Sequence, residues 1–236
     1  MVLGSQPKRT NDLIERLPPR QRKALLDLCE ERDVVVGEEV YKENGRMPYA
    51  WFPLDSMFSE LTPSSDPPVE AFLTGREGMV GFVMALGYDH APLHCSVQGS
   101  GKALRIAAAD FRALCEKSER VRGFAFASAY FQVQQTARNV YCMRHHQLGN
   151  RLARWLLMAA DRHQSPRFDV THKFLAAMLG TRRAGVTVAA TELSARRLIR
   201  YRRGEMEILD RRGLERASCS CYAYSVDAHR NAFRGE

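Results

Sequence analysis

The sequence predicts an α+β chain: an N-terminal antiparallel β-roll of jelly-roll character, then one long helix, then a C-terminal helical module with a β-hairpin. Three observations carry this reading. Short runs of β-branched and aromatic residues punctuated by turn formers fill residues 33–106, helical periodicity takes over at Ala108, and the basic charge is confined to the last two-fifths of the chain.

The chain has 236 residues, 45% of them apolar, enough for one large core or two modest ones. The charge distribution favours two units. Up to Met143 there are 17 Lys or Arg against 18 Asp or Glu; from Arg144 onward the counts are 18 and 9. A basic unit beside a neutral one is the electrostatic footprint of a nucleic-acid-binding module, because neutralising phosphates supplies most non-specific affinity. No run approaches the ~18 apolar residues of a membrane helix, and the polar stretch 1–10 lacks the apolar run of a signal peptide. A cytoplasmic protein with no membrane partner is expected. The six cysteines (Cys29, Cys95, Cys115, Cys142, Cys219, Cys221) are too scattered for a disulfide framework, so reduced thiols are expected.

Residues 11–17 and 19–31 read as two short helices split by Pro18 and Pro19, with Leu25, Leu26 and Leu28 on one side. Strand-like runs follow at 34–36, 40–41, 51–52, 57–61, 69–73, 79–82, 95–97 and 103–106. A helix to about Lys117 precedes the long one, about 119–145. Along it Val121, Phe124, Ser128, Phe131, Gln135 and Cys142 recur at helical spacing. Such a stripe is either a dimer seam or a face packed on its own domain; the dimer seam is the reading adopted. A further helix, 148–162, turns Leu152, Trp155, Leu156 and Ala159 inward and ends at Ser165-Pro166.

Residues 171–193 have the logic of a helix-turn-helix. Thr171 can cap the first helix, Leu175 and Leu179 point to the core, and Ala176 is small where the second helix crosses. Gly180 permits a left-handed turn, and Thr181 can cap the second helix, whose apolar face is Val186, Ala189, Ala190 and Leu193. Arg182, Arg183, Ala184 and Thr187 are left at its exposed start, where this motif meets base edges in the major groove. Residues 198–209 read as strand, turn at Gly204 and strand, a wing whose Arg200, Arg202 and Arg203 suit phosphates. The expected DNA-binding set is Thr171, Thr181, Arg182, Arg183, Thr187, Arg200, Arg202 and Arg203.

The arrangement resembles the Crp/Fnr family of bacterial regulators over residues 13–222. The resemblance rests on Gly75-Arg76-Glu77-Gly78-Met79-Val80-Gly81, on the 151–158 run before the DNA-binding module, on 175–188 and on Leu198-Ile199-Arg200-Tyr201. It implies a β-roll sensor (1–118), a dimerisation helix (119–146) and a winged helix-turn-helix (147–236). It also implies a homodimer on a palindromic operator in double-stranded DNA, with RNA polymerase as a possible further partner. An effector pocket would involve Gly75, Arg76, Glu77, Gly78 and His90.

The sequence departs from the family where ligands bind. Cyclic-AMP-binding members use a Gly-Glu pair for the ribose and an Arg-Ser pair for the phosphate. Glu77 and Gly78 match only approximately, and Asp89-His90-Ala91-Pro92-Leu93 stands where Arg-Ser would fall. Cyclic AMP is disfavoured. An iron–sulfur cluster is disfavoured because only Cys29 precedes residue 90, and haem because His90, His94 and Cys95 are isolated candidates. No cofactor is expected. Cys219-Ser220-Cys221 lacks the third and fourth ligands of a zinc site, His229 being the other candidate nearby, so no metal site is expected; two buried residues under the wing are the plainer reading. In the recognition helix the family's Arg-Glu-x-x-x-Arg set is reduced to Arg183. No catalytic motif is present, so an enzyme is not expected. The reading from another class is a ligand-binding regulatory protein whose basic tail meets a protein partner. RNA binding is disfavoured by the lack of aromatic platforms.

Overall fold

The computed structural model describes residues 10–62 and 69–233. The polar N-terminal stretch, save Thr10, lies outside them. Helices α1 (Asp12–Glu15) and α2 (Pro19–Leu26) open the chain. Asn11 caps α1 by accepting from Leu13 and Ile14 N–H, and its amide donates to Pro53 and Gly78 carbonyls, each at 2.9 Å. One buried side chain thus anchors the N-terminus to the β-roll.

The roll comprises β1 (Cys29–Val34), β2 (Glu39–Tyr41), β3 (Tyr49–Pro53), β4 (Met57–Leu61), β5 (Glu70–Thr74), β6 (His94–Gly99) and β7 (Gly101–Ala107). Two antiparallel sheets form, ordered β1-β7-β3 and β2-β6-β4-β5. Two expectations need correction. The second helix does not reach Glu31: Cys29–Val34 pairs with β7 from Cys29↔Ile106 to Val34↔Gly101, and pairing overrides the helix preference of its Glu and Arg residues. Residues 79–82 are not a strand. Only Val80 bridges to Trp51, because Gly81 at φ +88° turns the chain into a short 3-10 helix, Phe82–Leu86.

Helix α3 (Ala108–Lys117) leads to α4 (Glu119–His145), capped by Ser118. The C-terminal module is α5 (Leu148–His163), β8 (Arg167–Asp169), α6 (His172–Met178), α7 (Arg183–Ala195), β9 (Ile199–Arg202), β10 (Glu205–Ile208), α8 (Arg211–Ala217) and α9 (Cys221–Ala232). Its sheet has three strands, β8-β10-β9, one more than the expected wing. No helix among the described residues is long and apolar enough to cross a membrane.

Two cores result. One joins the roll to α3 and α4; the other joins α5, α6, α7, α8 and the wing to Met57, Leu61 and Leu73 of β4 and β5. Helix α9 crosses back, placing Ala228 and Phe233 in the first core. Phe131 packs edge-on against His229 at 5.2 Å and near Phe233 at 6.1 Å.

Candidate nucleic-acid interface and regulatory pocket

Thr171 accepts from Phe174 N–H at 3.1 Å and starts α6. Leu175, Ala176 and Leu179 are buried, and Gly180 has φ +57°. A Cβ at Gly180 would meet Met143 and Val69 at 3.2–3.4 Å, so both conformation and space call for glycine. Thr181 is not the cap expected of it. Its N–H donates to Ala176 C=O in the turn, Arg182 occupies the cap position in extended conformation, and no side chain closes the start of α7. Those first N–H groups remain available to an anion.

Val186, Ala189, Ala190 and Leu193 are the buried face of α7, as expected. Arg182, Arg183, Ala184, Thr187 and Val188 are exposed. Arg183 is the first residue of α7. Val188, 59% exposed, is an apolar side chain on a face otherwise suited to hydrogen bonding, and escaped the sequence reading. So did His172. It stacks on Tyr201 of the wing at 4.2 Å, and its Nδ1 lies 3.0 Å from the Thr187 hydroxyl, which donates to Arg183 C=O. One imidazole therefore fixes α6, α7 and β9 relative to one another. Burial, with help from the Arg183 charge, lowers its proton affinity, which keeps this bridge neutral.

The wing turn places Arg203 (φ +51°) and Gly204 (φ +92°) in left-handed conformations, the pattern of a two-residue hairpin turn. Glu207 accepts from Arg200 at 2.9 Å and pairs with Arg167 at 2.8 Å. Arg200 is therefore partly neutralised within the wing, whereas Arg202 and Arg203 stand exposed at its tip.

In the roll, the expected effector residues separate. Arg76 pairs with Asp12; Glu77 holds Arg162 of α5 at 2.8 Å and accepts from Gly75 N–H. A Cβ at Gly75 would fall 2.6 Å from Arg162 Cγ, so this glycine admits an arginine from the C-terminal module. His90 is elsewhere, exposed in the loop before β6 and paired with Asp89 at 2.6 Å. The guanidinium beside that segment, Arg46, is itself paired with Asp89. The expected effector residues therefore do not come together: Arg76 and Glu77 line a cleft with Asp161, Arg162 and His229, and His90 does not. His94 lies near Glu39, while Cys95 is buried in the core with its thiol pushed up by burial.

A second pocket, between roll and α4, is lined by Thr74, Ser128, Gln132 and Gln135. The Gln132 oxygen and both amide atoms of Gln135 are buried without a hydrogen-bond partner among the described residues. Beside Gln132, Glu60 is fully buried, which pushes its carboxyl up to about 8. Glu70 ties the roll to α5: it accepts from Ser59 at 2.6 Å and from Trp155 Nε1 at 3.0 Å.

The α4 stripe is also corrected. Val121, Phe124, Ser128, Phe131, Gln135 and Cys142 are buried against the chain's own β-roll and C-terminal segment. The exposed face carries Phe126, Tyr130, Val133, Ala137 and Val140, spaced four, three, four and three residues apart. Val133 is 68% exposed and Val140 66%.

The cysteine reading changes too. Cys219 and Cys221 lie not under the wing but against the end of α4, with Cys142 and His146. His229 is instead bound to Glu77 C=O at 3.1 Å. The sequence signal for the cysteine group is Cys142-x-x-x-His146, one helical turn at the end of the α4 stripe.

A family model described as a Crp-like helix-turn-helix domain matches residues 150–217. No curated protein matches the chain. Among solved structures, FixK2 from Bradyrhizobium japonicum is similar over 81% of this chain and 98% of its own, at 12% identity and TM-score 0.69. A Crp/Fnr-family regulator from Eubacterium rectale covers 87% of this chain and 97% of its own, at 16% identity and TM-score 0.65. The c-di-GMP-responsive regulator CLP of Xanthomonas campestris covers 81% and 99%, at 13% identity and TM-score 0.65. At such identities the structures speak for the fold, and the family model speaks for residues 150–217 alone. Residues 150–217 thus match a Crp-like helix-turn-helix domain, in a chain whose fold is shared with solved regulators of the Crp/Fnr family.

Proposed function

We propose that the chain acts in the cytoplasm as a homodimer on a palindromic operator in double-stranded DNA, with binding modulated by a signal received in the β-roll. The observation that carries the dimer is the apolar stripe Phe126, Tyr130, Val133, Ala137 and Val140 on α4. Its alternating four- and three-residue spacing is that of a two-helix seam, and such a stripe is costly to leave in water. A two-fold axis along α4 brings two α7 helices to half-sites one DNA turn, about 34 Å, apart. Arg182, Arg183, Thr187 and the apolar Val188 read base edges, the last suited to a thymine methyl; Arg202 and Arg203 hold phosphates, and Thr171 positions α6.

The division is a sensor over 1–118, a seam helix over 119–146 and a DNA-binding module over 147–236, with α9 returning to the sensor. The signal enters at the cleft of Arg76, Glu77, Asp161, Arg162 and His229, whose charged lining favours a small polar ligand; the void below Gln132 and Gln135 has room for about one water. The c-di-GMP response of a structural relative supports this kind of control. RNA polymerase is the downstream partner, and the chain works by binding rather than by catalysis. Sedimentation velocity tests the seam: two-chain mass is expected for the wild type and one-chain mass for Val133→Glu. Identical masses for the two proteins contradict it.

A further inference from the structure

Cys142 and His146 project one turn apart from the end of α4, and Cys219 and Cys221 flank the start of α9. The Cys142 and Cys219 sulfurs are 3.5 Å apart, as are the Cys221 sulfur and His146 Nδ1. All four ligating atoms lie within 4.8 Å of one another. Tetrahedral zinc with Zn–S bonds of ~2.3 Å sets its sulfurs ~3.8 Å apart, so the cluster has the dimensions of a single ion. A polynuclear iron–sulfur cluster needs its thiolates further apart. The three cysteines are buried and pack as a separate group rather than within either core.

We infer that Cys142, His146, Cys219 and Cys221 form a structural site for one divalent ion of the zinc class, tying the end of α4 to the start of α9. Soft thiolates with one imidazole select zinc over magnesium or calcium, which take oxygen ligands. Three thiolates and a neutral histidine leave the complex at one negative charge. Arg154 supplies the outer cation: it is buried, acts electrostatically on both Cys142 and Cys221, and its Nε has no other partner among the described residues. Cys142 and Cys221 are separated by 79 positions in sequence, so the ion closes a long loop and couples the seam helix to α9, the helix that returns from the DNA-binding module to the sensor.

The test uses the full chain, reduced, stripped with a chelator and titrated anaerobically with Co2+. The expected result is a one-to-one endpoint with thiolate-to-cobalt absorption and the intense visible bands of a tetrahedral ion, bleached by Zn2+ but not by Mg2+. Cys221→Ser and His146→Ala should each weaken Zn2+ binding at least about tenfold; Cys29→Ser and Cys115→Ser should leave it unchanged. Should a ligand variant fail to fold, alkylation of the wild type decides: Zn2+ should protect three of its six thiols. The absence of a cobalt band, zinc binding unaffected in folded ligand variants, no thiol protection, or a Cys142–Cys219 disulfide that survives purification under reducing conditions would each overturn the assignment.

Discussion

Helices α4 and α7 each divide into two faces, yet only α7 announces which face is which. In α7 the apolar set Val186, Ala189, Ala190 and Leu193 is opposed by arginine and threonine, so burial and exposure follow from composition. In α4 both faces are apolar, and the inner one also carries Ser128, Gln132 and Gln135. Periodicity identifies which residues share a face but not which partner that face meets. The polar residues look like register-fixing seam positions; they are instead the α4 wall of a pocket in the roll.

The sharpest way to break that comparison is a pair of neighbours on α4. Phe131→Ala empties a buried ring site and should cost about 3–5 kcal/mol in urea unfolding, with the dimer persisting in whatever remains folded. Val133→Ala should cost about 0.5 kcal/mol or less in the isolated fold, its effect falling on dimer dissociation. Equal losses for both would mean that the two faces are not distinct.

Glu60 probes the inner face by pH. Its carboxyl is raised from 4.5 to about 8 by burial, so the native state keeps the proton that the unfolded chain releases. Its contribution is full below pH 4.5 and is lost as pH rises through 8, by about 1.4 kcal/mol per pH unit at most. Glu60→Gln should match the wild type near pH 4 and exceed it near pH 9 by a few kcal/mol. A stability difference that does not change with pH would contradict this placement.

The outer face of α7 is probed on DNA. Arg183→Ala should weaken operator binding by about 1–3 kcal/mol and leave random DNA almost unchanged, whereas Arg202→Ala should weaken both and lower the salt slope by about one. Arg200→Ala should do less than Arg202→Ala, since Glu207 already holds Arg200. A larger effect at Arg200 would mean that the wing rearranges on DNA.

Local signals carried most of the fold. Turn residues delimited the strands, Pro and Gly punctuated the helices, and the helix-turn-helix core and Gly180 follow from side-chain size and conformation alone. What was hidden depends on distant partners. Edge strand β1 is made by β7, Thr181 is drawn into the turn by Ala176, and Arg200 is claimed by a glutamate across the hairpin. His172 and Tyr201 stack across 29 positions, and Cys142 meets Cys219 across 77. Residue type nominated these side chains; only the fold could bring them together.

The most direct test of the whole account is selection of bound sequences from a random duplex library with purified wild-type protein, followed by stoichiometry on the winner. An inverted repeat with half-sites about one helical turn apart is expected, bound by two chains, with affinity falling steeply with salt. Enrichment of a single unrepeated half-site bound by one chain, or no enrichment at all, would contradict it.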